Sequence, residues 1–334
     1  MSLPLMCAAG AAQVPQELYA PILGDLGEVE RILAGALASA CPGIAELVRH
    51  VSRYRGKRLR PALLLLVARA CGGVTPAHHV LAAVIEMIHT ATLVHDDVLD
   101  GASLRRHVPT VNAVRGNHNS VLLGDYIFTH AFTLSTTLGD LRACQIIGAA
   151  SNRVCEGELR QGLERGNLAL GEAQYLEMID GKTAELIACC GRLGALFASA
   201  SDEVVERMAC YARNLGMAFQ IADDLLDLVG EERATGKSLG TDLEQQKMTL
   251  PLIRLLGRAP AAVAQRLRQA LASPGNHKRD LLRPYLADSD ALDYAYARAE
   301  DFARAARAEL ECLPESPCRA ILESLCERVV HRDG

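Results

Sequence analysis

Apolar residues recur at helical spacing along most of the chain, and this periodicity restricts the fold more than any other feature of the sequence. The stretch 81–99 is apolar on nearly every face and is interrupted mainly by Glu86, His89 and His95, which predicts a buried central helix. The stretch 207–229 has the same character. Long alternations of apolar and polar residues are absent, and Gly and Pro, for example Gly116, separate the periodic segments. We therefore predict an all-α fold of roughly ten to thirteen helices.

The chain is long and apolar enough to form one large core. Of its 334 residues, 50% are hydrophobic and 22% are charged, which excludes wholesale disorder. A length near twice the ~150-residue prior allows two domains, but no low-complexity linker divides the sequence. We predict a single helical-bundle domain over residues 1–334, with the first ~20 residues as candidates for disorder.

Charge and cysteine content narrow the classes of partner and location. A net charge of -5 argues against a nucleic-acid partner, because such proteins normally carry a basic surplus. The 11 cysteines are scattered and form no C-x-x-C motif, as expected of reduced thiols in a cytoplasmic protein rather than of a disulfide framework. No uninterrupted apolar run of ~18 residues occurs, so we expect no transmembrane helix.

Two matching acidic clusters each close a long apolar stretch. Asp96, Asp97 and Asp100 belong to DDVLD, and the same D-D-x-x-D spacing recurs at 223–227. At about 100° per residue, the three carboxylates of each cluster share one helix face. Like charges so placed repel each other and need a cation, for which Mg²⁺, held by carboxylates together with substrate phosphates, is suited. A solvated acidic helix end is the alternative for either cluster alone, and the repetition favours metal sites.

Basic residues accompany both acidic clusters. They are Lys57, Arg60, Arg105, Arg106, Lys182, Lys237 and Lys247. Arginine can contact phosphate with two parallel N–H groups, and lysine supplies a point charge. Each of these residues alone is an ordinary surface charge. Beside two candidate magnesium sites, they indicate one or two diphosphate substrates.

Seven short motifs give the sequence a specific resemblance by their order and spacing. They are GKRLRP (56–61), HTATLVHDDVLDGASLRR (89–106), GD (124–125), GKTAEL (181–186), QIADDLLD (220–227), GKSLGTDL (236–243) and KMTLPLI (247–253). With them, residues 56–332 resemble the trans-isoprenyl diphosphate synthases, also called polyprenyl synthetases. The run HTATLVHDDVLD is most similar to bacterial long-chain synthases of the octaprenyl type, which make quinone side chains. The resemblance implies the all-α isoprenoid synthase bundle with a central active-site cavity.

The resemblance also implies the metal and catalytic positions. Mg²⁺, three ions with substrate bound, would be held by Asp96, Asp97, Asp100, Asp223, Asp224 and Asp227. Asp242 would support the second metal through water. The residues beside the developing allylic cation would be Lys182, Thr183 and Gln220.

The two diphosphate sites follow in the same way. The allylic diphosphate would be bound by Arg105, Lys182, Lys237 and Lys247. Isopentenyl diphosphate would be bound by Lys57, Arg60, His89 and Arg106. The allylic substrate would ionise, its carbocation would alkylate isopentenyl diphosphate, and a proton would leave. The family further implies a homodimer, and peripheral membrane contact would suit release of a long product.

Small side chains below the first acidic cluster predict a long product. Ala91 and Thr92 lie roughly 6–8 Å below Asp96 along a helix, and Ile88 continues the stripe. In family members that stop at farnesyl length, a bulky aromatic residue near these positions blocks the growing tail. Ordinary packing of small residues against a neighbouring helix is the alternative.

Two departures and three rival functions remain open. His107 and Gln246 stand where the family usually has Gly, and both substitutions could alter loop geometry. The first rival is a shorter-chain synthase that makes geranylgeranyl or farnesyl diphosphate. A class I terpene cyclase is a weaker rival, since its second metal motif usually mixes Asn, Ser and Glu. A non-catalytic subunit of a heteromeric synthase is the third, and the two intact acidic triplets argue against it.

Overall fold

The computed structural model describes residues 19–54, 56–229, 240–273 and 278–331, and this part of the chain is almost entirely helical. The first five helices are α1 Leu23–Ala36, α2 Pro42–Val51, α3 Leu59–Cys71, α4 Pro76–Leu99 and α5 Val111–Thr136. The middle of the chain forms α6 Leu141–Leu163, α7 Glu172–Ile179, a π-helical turn Asp180–Ala184, α8 Glu185–Phe197 and α9 Asp202–Val229. The remaining helices are α10 Thr241–Glu244, α11 Leu250–Arg258, α12 Ala261–Ala272, α13 Lys278–Ala287, α14 Ala291–Glu309 and α15 Pro317–Val330. Short 3₁₀ turns cover Ala20–Ile22 and Leu310–Cys312. The predicted all-α fold is confirmed.

Helices α4 and α9 form the centre of the bundle. Helix α4 packs along α5 and also contacts α1, α3 and α8, while α9 packs along α8 and α14. The predicted buried stretch of α4 is fully enclosed from Leu81 to Ile88, including Glu86. By length and composition α4 could cross a membrane, yet 61% of its most apolar window is buried inside the bundle. The acidic clusters thus lie at the ends of the two helices that the bundle holds most firmly.

Glycine and proline mark several of the helix boundaries. Pro42, Pro76 and Pro317 occupy first helical turns, where a missing N–H breaks no helical hydrogen bond. Gly116 adopts φ 79° inside α5 and produces a kink there, at a break that the sequence predicts. The only strands in the described residues are Leu104–Arg105 and Val108–Pro109, an antiparallel hairpin that follows α4.

Candidate active site

The three carboxylates of the first acidic triplet point in two directions, because Asp97 is buried and its two neighbours are only half-buried. Asp97 is 1% exposed, and its Oδ1 accepts a hydrogen bond of 2.7 Å from Nε of Arg105 in the hairpin. Its Oδ2 has no partner within the described part of the chain. Burial raises the pKa of Asp97, although Arg105 opposes the shift. The middle carboxylate therefore links α4 to the hairpin that follows it.

Asp96 and Asp100 are half-buried and face basic residues on other elements. Burial raises the pKa of Asp96 to about 6, against the nearby charge of Lys182. Oδ1 of Asp100 lies 3.0 Å from Nη2 of Arg165 and 3.7 Å from Nζ of Lys247. Cations already partly balance this carboxylate pair, as the sequence argument for charge compensation requires.

In the second triplet, Asp224 is buried and both of its oxygens accept hydrogen bonds. Oδ2 accepts from the hydroxyl of Tyr175 at 2.6 Å, and Oδ1 accepts from Nε2 of Gln220 at 2.7 Å. Oε1 of Gln220 in turn accepts from Oγ1 of Thr183 at 2.7 Å. Burial, then Asp242 and Asp223, raise the pKa of Asp224 despite these donors. Asp224 thereby fixes the polar pair that the sequence assigns to the allylic cation.

Asp227 accepts hydrogen bonds at the start of α10. The amide and hydroxyl of Thr241 lie 3.3 and 3.0 Å from its Oδ1, and the amide of Asp242 lies 3.1 Å from its Oδ2. Burial, and then the charge of Asp227, raise the pKa of Asp242 to about 6. Asp223 is half-buried, and its charge acts on Asp242 as well. Four carboxylates therefore meet at this end of α9.

Lys247 links the first triplet to Asp242, the carboxylate that neighbours the second triplet. Its Nζ lies 3.7 Å from Oδ1 of Asp100 and 3.6 Å from Oδ1 of Asp242. Lys247 and Lys182 line one cavity with Gln220, Asp224 and Asp242. The second triplet therefore reaches this cavity through Asp224, and the first adjoins it through the contact of Asp100 with Lys247.

The donors around this cavity fit a divalent cation that is completed by substrate. Carboxylate oxygens are hard ligands of the kind Mg²⁺ prefers. Within the described ranges no three His, Cys, Asp or Glu side chains converge closely enough to hold an ion by themselves. Mg²⁺ in such sites usually takes one or two carboxylates, and phosphate and water supply its other ligands.

Lys182 and Thr183 lie on the π-helical turn and point to different helices. Nζ of Lys182 lies 2.6 Å from Oε2 of Glu158 and donates to Oε1 of Gln161 at 2.7 Å, both on α6. Thr183 instead contacts α9 through Gln220. Its carboxylate neighbours raise the pKa of Lys182 against the effect of burial, so the side chain is held as a cation. π-Helical turns are rare and occur frequently at functional sites.

A second cationic pocket surrounds His89. Burial, and then the charges of Arg60, Arg106, Arg105 and Arg58, lower the pKa of His89 well below its ordinary value. Nε of Arg60 is buried without a hydrogen-bond partner among the described residues, and Arg106 donates to the carbonyl of Tyr54 at 2.6 Å. The pocket thus combines several positive charges with an unused buried donor, which suits a polyanion. Lys57 is exposed on the same loop.

The candidate chain-length residues are placed below the first triplet. Ala91 and Ile88 are each 1% exposed. Thr92 is half-buried, and its hydroxyl donates to the carbonyl of His89 at 2.8 Å. Lys237, assigned above to the allylic diphosphate, lies outside the described residues.

Both departures from the glycine pattern adopt left-handed backbone. His107 has φ 63° and follows Arg106 at φ 50°, so the two form the tight turn of the hairpin that follows α4. Gln246 has φ 56° just before Lys247. The expected positive φ is therefore retained at both positions with a side chain in place of glycine.

Several contacts of the site have little or no sequence signal. Arg58 lies inside GKRLRP and pairs with buried Glu86 at 2.6 Å, which ties that loop to α4. Tyr175 precedes Lys182 by about two helical turns and looks like a core residue until its contact with Asp224 is seen. Arg165 lies in a loop, where a single arginine resembles any solvated charge.

Comparison with known proteins gives one consistent family. The model of the family described as Polyprenyl synthetase matches residues 42–286. The chain is 38% identical to the octaprenyl diphosphate synthase of Escherichia coli (strain K12), over 92% of this chain and 96% of that protein. It is 34% identical to the all-trans-nonaprenyl-diphosphate synthase (geranyl-diphosphate specific) of Rhodobacter capsulatus, over 96% and 99% of the two chains. The crystal structure of a polyprenyl synthase from Caulobacter crescentus CB15, complexed with calcium and isoprenyl diphosphate, superposes with a TM-score of 0.91 at 35% identity, covering 98% of this chain and 100% of that chain.

Proposed function

Because the chain belongs to the polyprenyl synthetase family, we propose that it is a prenyltransferase that condenses an allylic diphosphate with successive isopentenyl diphosphates. The product is a long-chain all-trans polyprenyl diphosphate, as the names of the octaprenyl and nonaprenyl relatives support. One observation carries the proposal more than any other: Lys247 contacts Asp100 of the first triplet and Asp242 beside the second, so the two acidic helix ends approach the same cation. The cationic pocket around His89, where Nε of Arg60 is buried without a partner among the described residues, would supply a second anion site.

The residues divide the chemistry between these two sites. Lys182 and Lys247 are placed to bind the leaving allylic diphosphate, and Mg²⁺ supplies further neutralisation of that charge when bound. The oxygens of Thr183 and Gln220 lie beside the carbon that becomes cationic. Arg60 and Arg106 hold isopentenyl diphosphate so that its double bond meets that carbon. The C–O bond breaks, the new C–C bond forms, and the departing diphosphate accepts the released proton.

A long product agrees with the small side chains at Ala91 and Thr92. A shorter-chain synthase that makes geranylgeranyl or farnesyl diphosphate uses the same chemistry and differs only in where the tail is blocked. The two complete acidic triplets disfavour a non-catalytic subunit, and the repeated D-D-x-x-D disfavours a cyclase. Product size is therefore the measurement that separates the remaining candidates.

Further properties belong to the same proposal. We infer that the enzyme works as a cytoplasmic homodimer with three Mg²⁺ ions in each substrate-bound site. Its product would serve as a quinone side chain and would leave through peripheral contact with a membrane. Sedimentation at assay concentration tests the dimer, and a fully active monomer would exclude it.

Incubation with Mg²⁺, isopentenyl diphosphate and farnesyl diphosphate, followed by product sizing, tests the proposal directly. We expect products much longer than geranylgeranyl diphosphate. Products that stop at geranylgeranyl length would assign the shorter-chain activity, and cyclised hydrocarbon would assign the cyclase. A chain that is inactive by itself with both substrates, but becomes active with a second protein, would indicate the non-catalytic subunit.

A further inference from the structure

The π-helical turn that carries Lys182 and Thr183 is enclosed on both sides by close backbone contacts. A Cβ on Gly157 of α6 would lie 2.3 Å from the amide nitrogen of Lys182. A Cβ on Gly216 of α9 would lie 2.7 Å from Cα of Ala184. The turn is therefore wedged between α6 and α9. While the turn stays π-helical, Lys182 faces α6 and Thr183 faces α9.

The π-helical geometry of the turn is defined by one backbone hydrogen bond. The amide of Glu185 donates to the carbonyl of Asp180, five residues earlier, as in a π-turn. In a regular α-helix these two residues would lie about 140° apart around the axis. The i→i+5 bond instead stacks one above the other, and their side chains share a face.

Arg213 of α9 contacts both of these side chains. Its Nη1 lies 2.6 and 2.7 Å from the two oxygens of Asp180, and its Nη2 donates to Oε2 of Glu185 at 2.6 Å. Arg153 of α6 adds a bond of 3.1 Å to the same Asp180 carboxylate. One guanidinium thus joins the two ends of the π-turn, a contact that the α-helical register would separate.

We propose that Arg213 is a positioning residue that holds the π-turn by bridging Asp180 and Glu185, and thereby holds Lys182 and Thr183 in the site. It touches no substrate. Asp180 is the second member of the device and Arg153 its support from α6. The consequence for activity rests on the proposed function, because Lys182 and Thr183 are assigned to the allylic side of the reaction.

The chain offers a matched control. Arg192 of α8 pairs with Glu206 of α9, so it joins the same two helices through a part-exposed bidentate contact away from the π-turn. Arg192→Met and Arg213→Met remove the same kind of side chain from the same helix pair. Asp180→Asn is a milder second variant, since Arg213 keeps its bond to Glu185.

Hydrogen–deuterium exchange of the peptide spanning residues 179–186 tests the clamp without reference to activity. We expect at least tenfold faster exchange in Arg213→Met and a smaller rise in Asp180→Asn, with Arg192→Met at the wild-type rate. Unchanged exchange in both clamp variants would overturn the inference, and so would equal acceleration in Arg192→Met.

Steady-state kinetics on the same proteins test the consequence. We expect kcat/KM for the allylic substrate to fall at least tenfold in Arg213→Met while KM for isopentenyl diphosphate stays within twofold. Arg213→Lys should restore little, because one ammonium does not span both carboxylates as the guanidinium does. An equal rise in KM for both substrates would contradict a role confined to the allylic side. If the wild-type protein makes no prenyl product and Arg213→Met still exchanges faster than wild type, the proposed function is wrong and the structural role of Arg213 stands.

Discussion

Arg105 donates a hydrogen bond of 2.7 Å from Nε to Oδ1 of Asp97, so the most buried carboxylate of the first acidic triplet is joined to the hairpin that follows its helix. Asp97 is 1% exposed and would be left as an unpaired buried charge without this partner. Removing one member of such a pair is far more costly than removing both. The pair therefore holds the hairpin that follows α4 against the end of that helix.

Arg105→Gln should lower the free energy of unfolding by about 3 kcal/mol, and adding Asp97→Asn should restore most of it. Urea denaturation of the two single variants and the double variant measures the coupling. Comparing the allylic KM of the double variant with that of Asp97→Asn alone then isolates a diphosphate contact from Arg105, because both proteins lack the Asp97 carboxylate. Strictly additive losses in stability would show that the pair is not coupled.

The carboxylates of the two acidic triplets are expected to be essential. Asp96→Asn and Asp223→Asn should each lower turnover at least ~100-fold, equivalent to about 3 kcal/mol of activation free energy, with the fold retained. Asp293→Asn, on the exposed face of α14, should leave turnover unchanged. Circular dichroism checks the fold, and excess chelator should abolish wild-type turnover. Full activity in chelator would contradict a metal-dependent reaction.

Much of the site can be predicted from the sequence because its residues stand in motifs of fixed spacing. The repeated triplets and the break at Gly116 are of this kind. The direction in which each side chain points cannot be predicted in this way. Spacing puts Asp97 on the same face as Asp96, but only the fold of the hairpin decides that Arg105 binds it.

The π-turn shows a second reason why sequence reasoning stops. Hydrophobic periodicity averages over several turns, and one extra residue between α7 and α8 hardly alters it. Contacts such as that of Tyr175 with Asp224 join segments 49 residues apart, so the position of one partner in the sequence does not predict the other. Long-range polar pairs of this kind are fixed by tertiary packing.

Arg60 offers a direct test of the second substrate site. Its Nε is buried without a hydrogen-bond partner among the described residues, so an incoming diphosphate oxygen would satisfy it. Arg60→Gln should raise KM for isopentenyl diphosphate roughly 10- to 100-fold, as expected from losing a charged hydrogen bond of about 1.5–3 kcal/mol. KM for the allylic substrate should change little, and Arg31→Gln on the exposed surface should change neither. A rise confined to the allylic KM would reverse the two sites.

The arginines around His89 give the protein a predictable pH dependence. Burial, and then these charges, depress the pKa of His89 in the folded state, so below pH 6.5 the unfolded chain takes up the proton first. The free energy of unfolding should therefore fall as the pH drops from about 7 to about 5, by at most ~1.4 kcal/mol per pH unit from this group. His89→Gln should flatten that slope. Pyrophosphate should flatten it in the wild type as well, since a bound anion restores the pKa of His89.

Urea midpoints at several pH values, with and without pyrophosphate, measure both effects. The comparison is between wild type and variant, because burial raises the pKa of Asp96 and Asp242 to about 6 and gives these carboxylates the opposite pH dependence. An identical slope in wild type and His89→Gln would contradict the assignment.

Ala91 tests where the growing tail runs. It is 1% exposed and lies five residues before Asp96 on α4, roughly 7 Å along the helix axis, where a larger side chain would project into packed space. Each added isoprene unit buries more apolar carbon, worth about 0.8 kcal/mol per CH₂, so an open tunnel retains the intermediate until it is blocked. Ala91→Tyr should shift products to farnesyl or geranylgeranyl length while the first condensation continues at a similar rate.

Overpacking at a buried alanine typically costs about 1–3 kcal/mol, so the thermal midpoint must be followed together with product size. Ala83→Tyr, two turns further down the same helix at a fully buried position, is the matched control for packing damage. A short product from Ala91→Tyr alone would place the tail beside Ala91. If both variants lose stability alike and Ala91→Tyr still makes the wild-type length, Ala91 only packs against its neighbours, and the length of the product is decided elsewhere along the bundle.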